Sequence, residues 1–197
     1  MNRFGGRFKY SKVLQLIDRV DDAITSNISK IIIRRDLKAL VNQFAQYELC
    51  FGNRFNVKPN GFNIKSTRFK VAGEDSEVFM VDVPNTDLKT GIISLVKVND
   101  KGESIVVAKE AGTVDYLKGE INLSTVNIVS TQRPNDIIEV QAVPDSNDVV
   151  GLKDLYLSLS VSDSKINMVK DVIASGEDIS GVTFTRDFYT SSYSNGD

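Results

Sequence analysis

Apolar and polar residues alternate along most of the chain, and this period of two predicts short β-strands. The strand signals recur at roughly ten-residue spacing with polar turns between them, which is typical of a mostly-β fold. In the sequence NDKGE, Gly102 is suited to the positive φ of a hairpin turn. The predicted strands cover residues 30–37, 43–51, 62–71, 77–83, 91–98, 104–110, 114–123, 125–130, 136–144, 155–161 and 165–172.

One helix interrupts this pattern near the N-terminus. Residues 11–24 place five apolar side chains at helical spacing on one face: Val13, Leu16, Ile17, Val20 and Ile24. Ser11 is suited to cap the first turn. The predicted fold class is therefore α+β and mostly β, with short antiparallel strands, hairpins and one N-terminal amphipathic helix.

Composition limits the chemistry that the chain can perform. Its 197 residues are 41% hydrophobic and 25% charged, which is typical of a globular protein, and no apolar run approaches the roughly 18 residues of a membrane helix. There is no histidine, and Cys50 is the single cysteine. A histidine-dependent triad is therefore impossible and a zinc site is nearly excluded. We predict no enzymatic activity, no metal and no cofactor, and we interpret Cys50 as a small hydrophobic residue of its strand.

Charge divides the chain into two sections. Residues 1–70 hold 14 Lys and Arg against 5 Asp and Glu, a balance of +9, whereas residues 71–197 hold 10 against 21, a balance of −11. We predict a basic N-terminal segment over 1–71 and an acidic β-rich domain over 72–197, with a polar tail. The asymmetry has two interpretations: the basic section binds an anion, or basic and acidic surfaces meet within one protein or between copies.

The sequence RFGGRFKYSK, residues 3–12, resembles a phosphate-binding segment. It lacks the spacing of a Walker loop and of a dinucleotide fingerprint, and it is a weak match to an RNA-binding arm. We predict instead an extended entry segment, bent at Gly5 and Gly6, that leads into the helix. The candidate interaction residues are all basic: Arg3, Arg7, Lys9, Lys12, Arg34 and Arg35.

Two groups of carboxylates are candidates for a catalytic or cation-binding site. They are Asp18, Asp21 and Asp22 on the predicted helix, and Glu74, Asp75 and Glu77 in a predicted loop. Neither matches a calcium loop, and such clusters are usually solvated. In the orderly stretch GTVDYLKGEINL, residues 112–123, Asp115 is placed to cap the amides of a tight turn.

Several segments together resemble the C-terminal part of the baseplate wedge subunit of T-even-type contractile-tailed phages. They are residues 4–37, the stretch GTVDYLKGEINL, residues 134–159 and residues 171–182, and their order is more specific than any one of them. The family protein is much longer, so Met1 would be an internal start.

The resemblance implies a structural virion protein of the tail baseplate, assembled in the host cytoplasm and without catalysis. Its implied partners are further copies of itself, in dimer or ring contacts, and other baseplate wedge proteins, in a ring that rearranges on tail contraction. We expect no membrane span and no nucleic acid. Two alternatives stay open: a nucleic-acid or polyanion-binding module that uses the basic section, and a hydrolase built on paired carboxylates.

Overall fold

A computed structural model describes residues 4–169, and it is mostly antiparallel β-sheet with one helix, which confirms the predicted fold class. The strands and the helix follow one another in the order β1 Arg7–Phe8, α1 Tyr10–Asp18, β2 Ile33–Lys38, β3 Phe44–Cys50, β4 Ile64–Ser66, β5 Phe69–Val71, β6 Phe79–Pro84, β7 Thr90–Val98, β8 Ser104–Asp115, β9 Glu120–Thr131, β10 Ile137–Ala142 and β11 Val149–Val150. A 3₁₀ turn at Pro134–Asp136 precedes β10.

Nine of the strands form one sheet. Its order is β2-β10-β4-β6-β7-β8-β9-β3, and β5 pairs with the far part of β9. All of these pairs are antiparallel. Strands β2–β5 precede residue 72 and strands β6–β10 follow it, so strands from both sides of the predicted 71/72 boundary pair in one sheet.

One hydrophobic cluster forms the core. It takes Leu37 from β2 and Leu49 from β3, the two ends of the strand order, so the sheet curves around a shared interior. Tyr116, Phe55 and Phe69 are its largest fully buried side chains. Strands β6, β7 and β10 each bury three or more consecutive residues, whereas β3 alternates between more and less exposed positions.

The helix is shorter than the predicted span of residues 11–24. It covers Tyr10–Asp18, and its N-cap is Lys9, which makes no side-chain capping bond, so the prediction of Ser11 as the cap was wrong. The chain turns after Asp18 because two side chains bond to nearby polar groups: the Asp21 carboxylate accepts the Ala23 amide at 2.9 Å, and the Asn27 side chain bonds to Asp18. Such local bonds compete with helix propagation.

The predicted strand at 155–161 was also wrong. Leu152 and Leu155 instead direct their carbonyl oxygens to the amide of Gly5, at 3.2 Å each, and the backbone around them is irregular. Residues 165–169 are not a strand either, while residues 170–172 and the polar tail lie outside the described residues. The predicted strand over 62–71 forms as two strands, β4 and β5, and the pieces predicted between residues 104 and 130 form two long strands, β8 and β9. The other predicted strands form within a few residues of their bounds.

The chain divides into two compact units, and the boundary lies between Leu159 and Ser160. The described part of the second unit, residues 160–169, contains a turn in which the Ser164 hydroxyl donates to the Ser160 carbonyl at 2.7 Å. Among the residues described, no helix has both the length and the apolar character to cross a bilayer.

Candidate interaction surface

The N-terminal entry segment pairs with the segment that follows β10. Strand β1 pairs with β11, with Arg7 opposite Val150 and Phe8 opposite Val149. The Gly6 carbonyl accepts the Gly151 amide at 2.8 Å. Gly5 has a φ of 63°, in the left-handed region that favours glycine, which confirms the predicted bend at this position.

Aromatic and polar contacts flank the β1–β11 pair and also connect the N-terminal segment to the segment that follows β10. The Phe4 ring lies against the Tyr156 ring with their centroids 4.1 Å apart, and both residues stay 57% exposed. The Tyr10 amide donates to the Asp148 carboxylate at 2.9 Å, and its hydroxyl donates to the Ser29 carbonyl at 2.8 Å. The entry segment is therefore a structural junction between the two terminal parts of the first unit.

Large apolar side chains remain exposed along these two terminal parts. Helix α1 contains no buried residue although its sequence is amphipathic, and Val20 and Ile28, which follow it, are 78% and 101% exposed. We define the terminal apolar surface as the exposed apolar residues of these parts: Phe4, Leu16, Val20, Ile28, Ile32, Tyr156 and Leu159. Exposed apolar side chains of this kind are candidates for burial by another molecule.

The basic candidates are divided between two parts of the fold. Arg7 lies on β1, Lys9 caps α1 and Lys12 lies within it, whereas Arg34 and Arg35 lie on β2 of the large sheet. Arg3 lies outside the described residues. Adjacent residues of a strand point to opposite faces, so Arg34 and Arg35 do not share one face of the sheet, and the five described candidates do not lie together on one element.

Arg34 illustrates how basic and acidic sections meet within the chain. Its guanidinium lies 3.2 Å from Asp36 and 3.2 Å from Glu139 of the acidic section. Arg133 binds the second oxygen of Glu139 at 3.0 Å. Arg54 lies 3.4 Å from Asp145 in the same way. Part of the charge asymmetry is therefore neutralised inside one copy.

A buried carboxylate that was not among the predicted site residues connects three parts of the sheet. Asp82 on β6 is 1% exposed and accepts three hydrogen bonds: from the Ile64 amide at 2.7 Å, from the Asn63 side chain at 2.8 Å and from the Tyr116 hydroxyl at 2.7 Å. Burial, together with the hydrogen bond to Asp82, raises the pKa of Tyr116 well above its usual value. In the sequence Asp82 is a polar residue within an apolar strand, and its hydrogen-bond partners are distant from it along the chain.

The stretch GTVDYLKGEINL forms the turn of the β8–β9 hairpin, which positions the Tyr116 hydroxyl next to the Asp82 carboxylate. Asp115 accepts the amides of Leu117 and Lys118 at 3.0 Å each, which confirms its predicted capping role. Gly119 has a φ of 71°, and a Cβ there would lie 2.0 Å from the Asn53 carbonyl oxygen. The contacts of this stretch are structural.

Cys50 and the acidic groups are the remaining candidates for chemistry that the sequence offers. Cys50 is half-buried, and burial, reinforced by Glu48, raises the pKa of its thiol. Within the described residues, no group of three or more acidic or cysteine side chains is placed to hold a metal ion. An open, mainly polar concavity of about 450 Å³ lies over β3, β8 and β9, between side chains that include Gln46, Glu48 and Asn122.

Comparison with known proteins adds no relationship. No protein-family model matches the chain, and no curated protein matches its sequence.

Proposed function

We propose that the protein is a structural component of a contractile-tail baseplate wedge, which acts by associating with itself and with other wedge proteins. Its place is the virion tail, in a ring that rearranges on contraction. The observation that carries this proposal is the terminal apolar surface, because its exposed side chains gain free energy only when another molecule covers them. The ordered sequence motifs supply the resemblance to the wedge subunit.

The charge distribution favours this function over polyanion binding. Arg34 is already engaged with two carboxylates, and the described basic candidates are divided between the β1–α1 segment and β2 of the large sheet. A polyanion-binding module predicts DNA affinity that falls linearly with the logarithm of salt concentration. We expect no such binding at low salt.

Sedimentation velocity of the purified full chain, alone and mixed with wedge proteins of a T-even-type phage, tests the proposal. We expect association that strengthens with concentration and weakens in the double variant Leu16→Ser and Val20→Ser. Phe44→Ser is the matched control, since Phe44 is 76% exposed on β3, away from the terminal apolar surface. A chain that stays monomeric at every concentration and binds no wedge protein would refute the proposal.

A further inference from the structure

The concavity of about 450 Å³ lies on the outward face of the sheet, where β8, β9 and β3 run side by side. We call it the outer concavity. Tyr47 and Leu123 border it but pack their side chains against the hydrophobic core. The side chains that it presents to solvent are all polar and exposed: Gln46, Glu48, Thr113, Asn122 and Ser124. None of them belongs to the terminal apolar surface or to the Asp82 network.

A β-bulge brings two hydroxyl groups to this face. The β3–β9 register shifts between Ala45 and Tyr47, where three steps along β9 match two along β3. The extra residue lies in β9 at Ser124 and Thr125, and both are exposed. In a regular strand one of these two side chains would point inward. The bulge therefore places two hydroxyl groups side by side at the outer concavity.

An exposed aromatic ring borders the same concavity. Strand β3 has no extra residue at the bulge, so its alternation places Phe44 on the same face as Gln46 and Glu48. Phe44 is 76% exposed, and two steps along a strand separate it from Gln46 by about 7 Å. The face of an aromatic ring carries partial negative charge, which attracts positively polarised C–H groups. The outer concavity thus combines polar groups with an aromatic platform.

Most of the polar groups in the outer concavity are not used by the chain itself. Over residues 4–169, the side chains of Thr113, Asn122 and Ser124 form no hydrogen bond with another residue. Gln46 donates from its Nε2 to the Thr125 hydroxyl at 3.3 Å, which leaves its amide oxygen as an acceptor. The hydroxyl and amide groups can both donate and accept, whereas a carboxylate accepts only. The site therefore matches a ligand that carries several hydroxyl groups.

The lining disfavours two other classes of ligand. Glu48 is the one charged residue among the described residues that line the concavity, so a phosphate or another anion would meet a like charge without a cation to offset it. A wholly apolar ligand would remove the polar side chains from water without giving them partners. The ligand class that remains is neutral, with hydroxyl groups at its edge and an apolar face.

We propose that the outer concavity binds a neutral saccharide, with a pyranose ring stacked on Phe44 and its hydroxyl groups bonded to Glu48, Asn122 and Ser124. One face of a pyranose carries C–H groups, which suit an aromatic ring, and its vicinal hydroxyl groups pair with a carboxylate or an amide. Because the site is open and its groups are otherwise bonded to water, the expected dissociation constant is about 1 mM. This binding is separate from the proposed assembly function and does not rest on it.

Titration of the isotope-labelled full chain with neutral trisaccharides, followed by amide chemical shifts, tests the proposal. The probes are maltotriose, cellotriose and triacetylchitotriose. At least one should shift the amides of residues 44–48 and 122–125, and anionic sialyllactose should bind at least about fivefold more weakly than that probe. Unchanged amides in these two stretches with all three probes at about 20 mM would overturn the proposal, as would shifts confined to other parts of the chain.

Substitutions at exposed positions test the assigned contacts. Phe44→Ala should weaken binding about three- to tenfold and Asn122→Ala about threefold, while the amides of the core keep their shifts. Phe62→Ala is the matched control, because Phe62 is 53% exposed and lies outside the lining, and it should bind as the wild type does. Wild-type affinity in both site variants, or equal weakening by the control, would show that the saccharide lies elsewhere and would overturn the proposal.

The charge of Glu48 has a test of its own. Glu48→Gln keeps an oxygen acceptor and removes the negative charge, so sialyllactose should bind this variant more tightly than it binds the wild type. An unchanged difference between sialyllactose and the neutral probe would overturn the placement of the ligand beside Glu48.

Discussion

Replacing Tyr116 by phenylalanine removes a single oxygen from the centre of the fold. The Tyr116 hydroxyl donates to the Asp82 carboxylate at 2.7 Å, and both residues are almost completely buried. Phenylalanine keeps the ring that packs in the core but leaves the carboxylate with two donors, Ile64 and Asn63, in place of three. The variant therefore isolates the contribution of one buried, charge-assisted hydrogen bond.

The expected loss of unfolding free energy is about 2 kcal/mol. A hydrogen bond to a charged group contributes roughly 1.5–3 kcal/mol, and water cannot replace the lost donor at a buried site. With a urea dependence of about 2 kcal/mol per molar, the unfolding midpoint should fall by about 1 M while the slope stays constant. Urea unfolding followed by circular dichroism measures both quantities.

Tyr47→Phe is the matched control for this experiment. Its hydroxyl accepts the Leu40 amide at 3.0 Å where water can reach the freed amide, so we expect a loss of about 0.5 kcal/mol. Losses of equal size in the two variants would show that the Asp82 carboxylate gains nothing special from its third donor, and would refute the reasoning.

Alkaline pH gives the same hydrogen bond a second signature. The folded state raises the pKa of Tyr116, so its contribution is fully present below the unfolded value near pH 10. Above pH 10 the unfolded chain releases this proton while the folded chain retains it, and about 1.4 kcal/mol is lost per pH unit. The difference in stability between wild type and Tyr116→Phe should therefore narrow above pH 10 and stay constant from pH 7 to 9.

Three further predictions use the same unfolding and labelling assays. Gly119→Ala should lower the free energy of unfolding by about 3 kcal/mol or more, because its Cβ would meet the Asn53 carbonyl at a positive φ. Gly102→Ala, with nothing within 4 Å of the new Cβ, should lower it by about 1 kcal/mol, and equal losses would contradict this. Glu139→Gln should cost about 2 kcal/mol in urea, since its side chain is only 11% exposed and binds two arginines, and an unchanged midpoint would count against it. Iodoacetamide should label Cys50 more slowly than free cysteine at pH 8, because burial raises the thiol pKa, and fast labelling would exclude this.

The regular part of the fold could be predicted because its signal is local. Alternation along β3 separates more exposed from less exposed positions residue by residue, and Gly102 and Asp115 mark the two hairpin turns between β7, β8 and β9. Each of these signals lies within a few residues of the structure that it specifies. The order of the strands is not local in this sense, and the sequence did not reveal it.

The failures share one physical cause, which is competition from partners that the local pattern does not contain. Residues 155–161 have the alternation of a strand, but the carbonyl of Leu155 bonds to Gly5, at the other end of the chain. The helix ends at Asp18 although apolar spacing continues to Ile24, because Asp21 and Asn27 bond to nearby groups. Propensity predicts an element only where no better partner is available to its backbone.

Asp82 and Arg34 show the same rule for charged side chains. In the sequence, Asp82 is a misplaced polar residue and Arg34 belongs to a basic section suited to an anion. In the fold, three donors from two separate segments, residues 63–64 and Tyr116, surround Asp82, and Arg34 lies against Glu139, more than a hundred positions away. A charge balance counted along the chain therefore overstates the charge that is available to bind a partner, because the sheet pairs basic β2 with acidic β10 within one copy. The exposed apolar side chains therefore support the proposed association more directly than the net charge does.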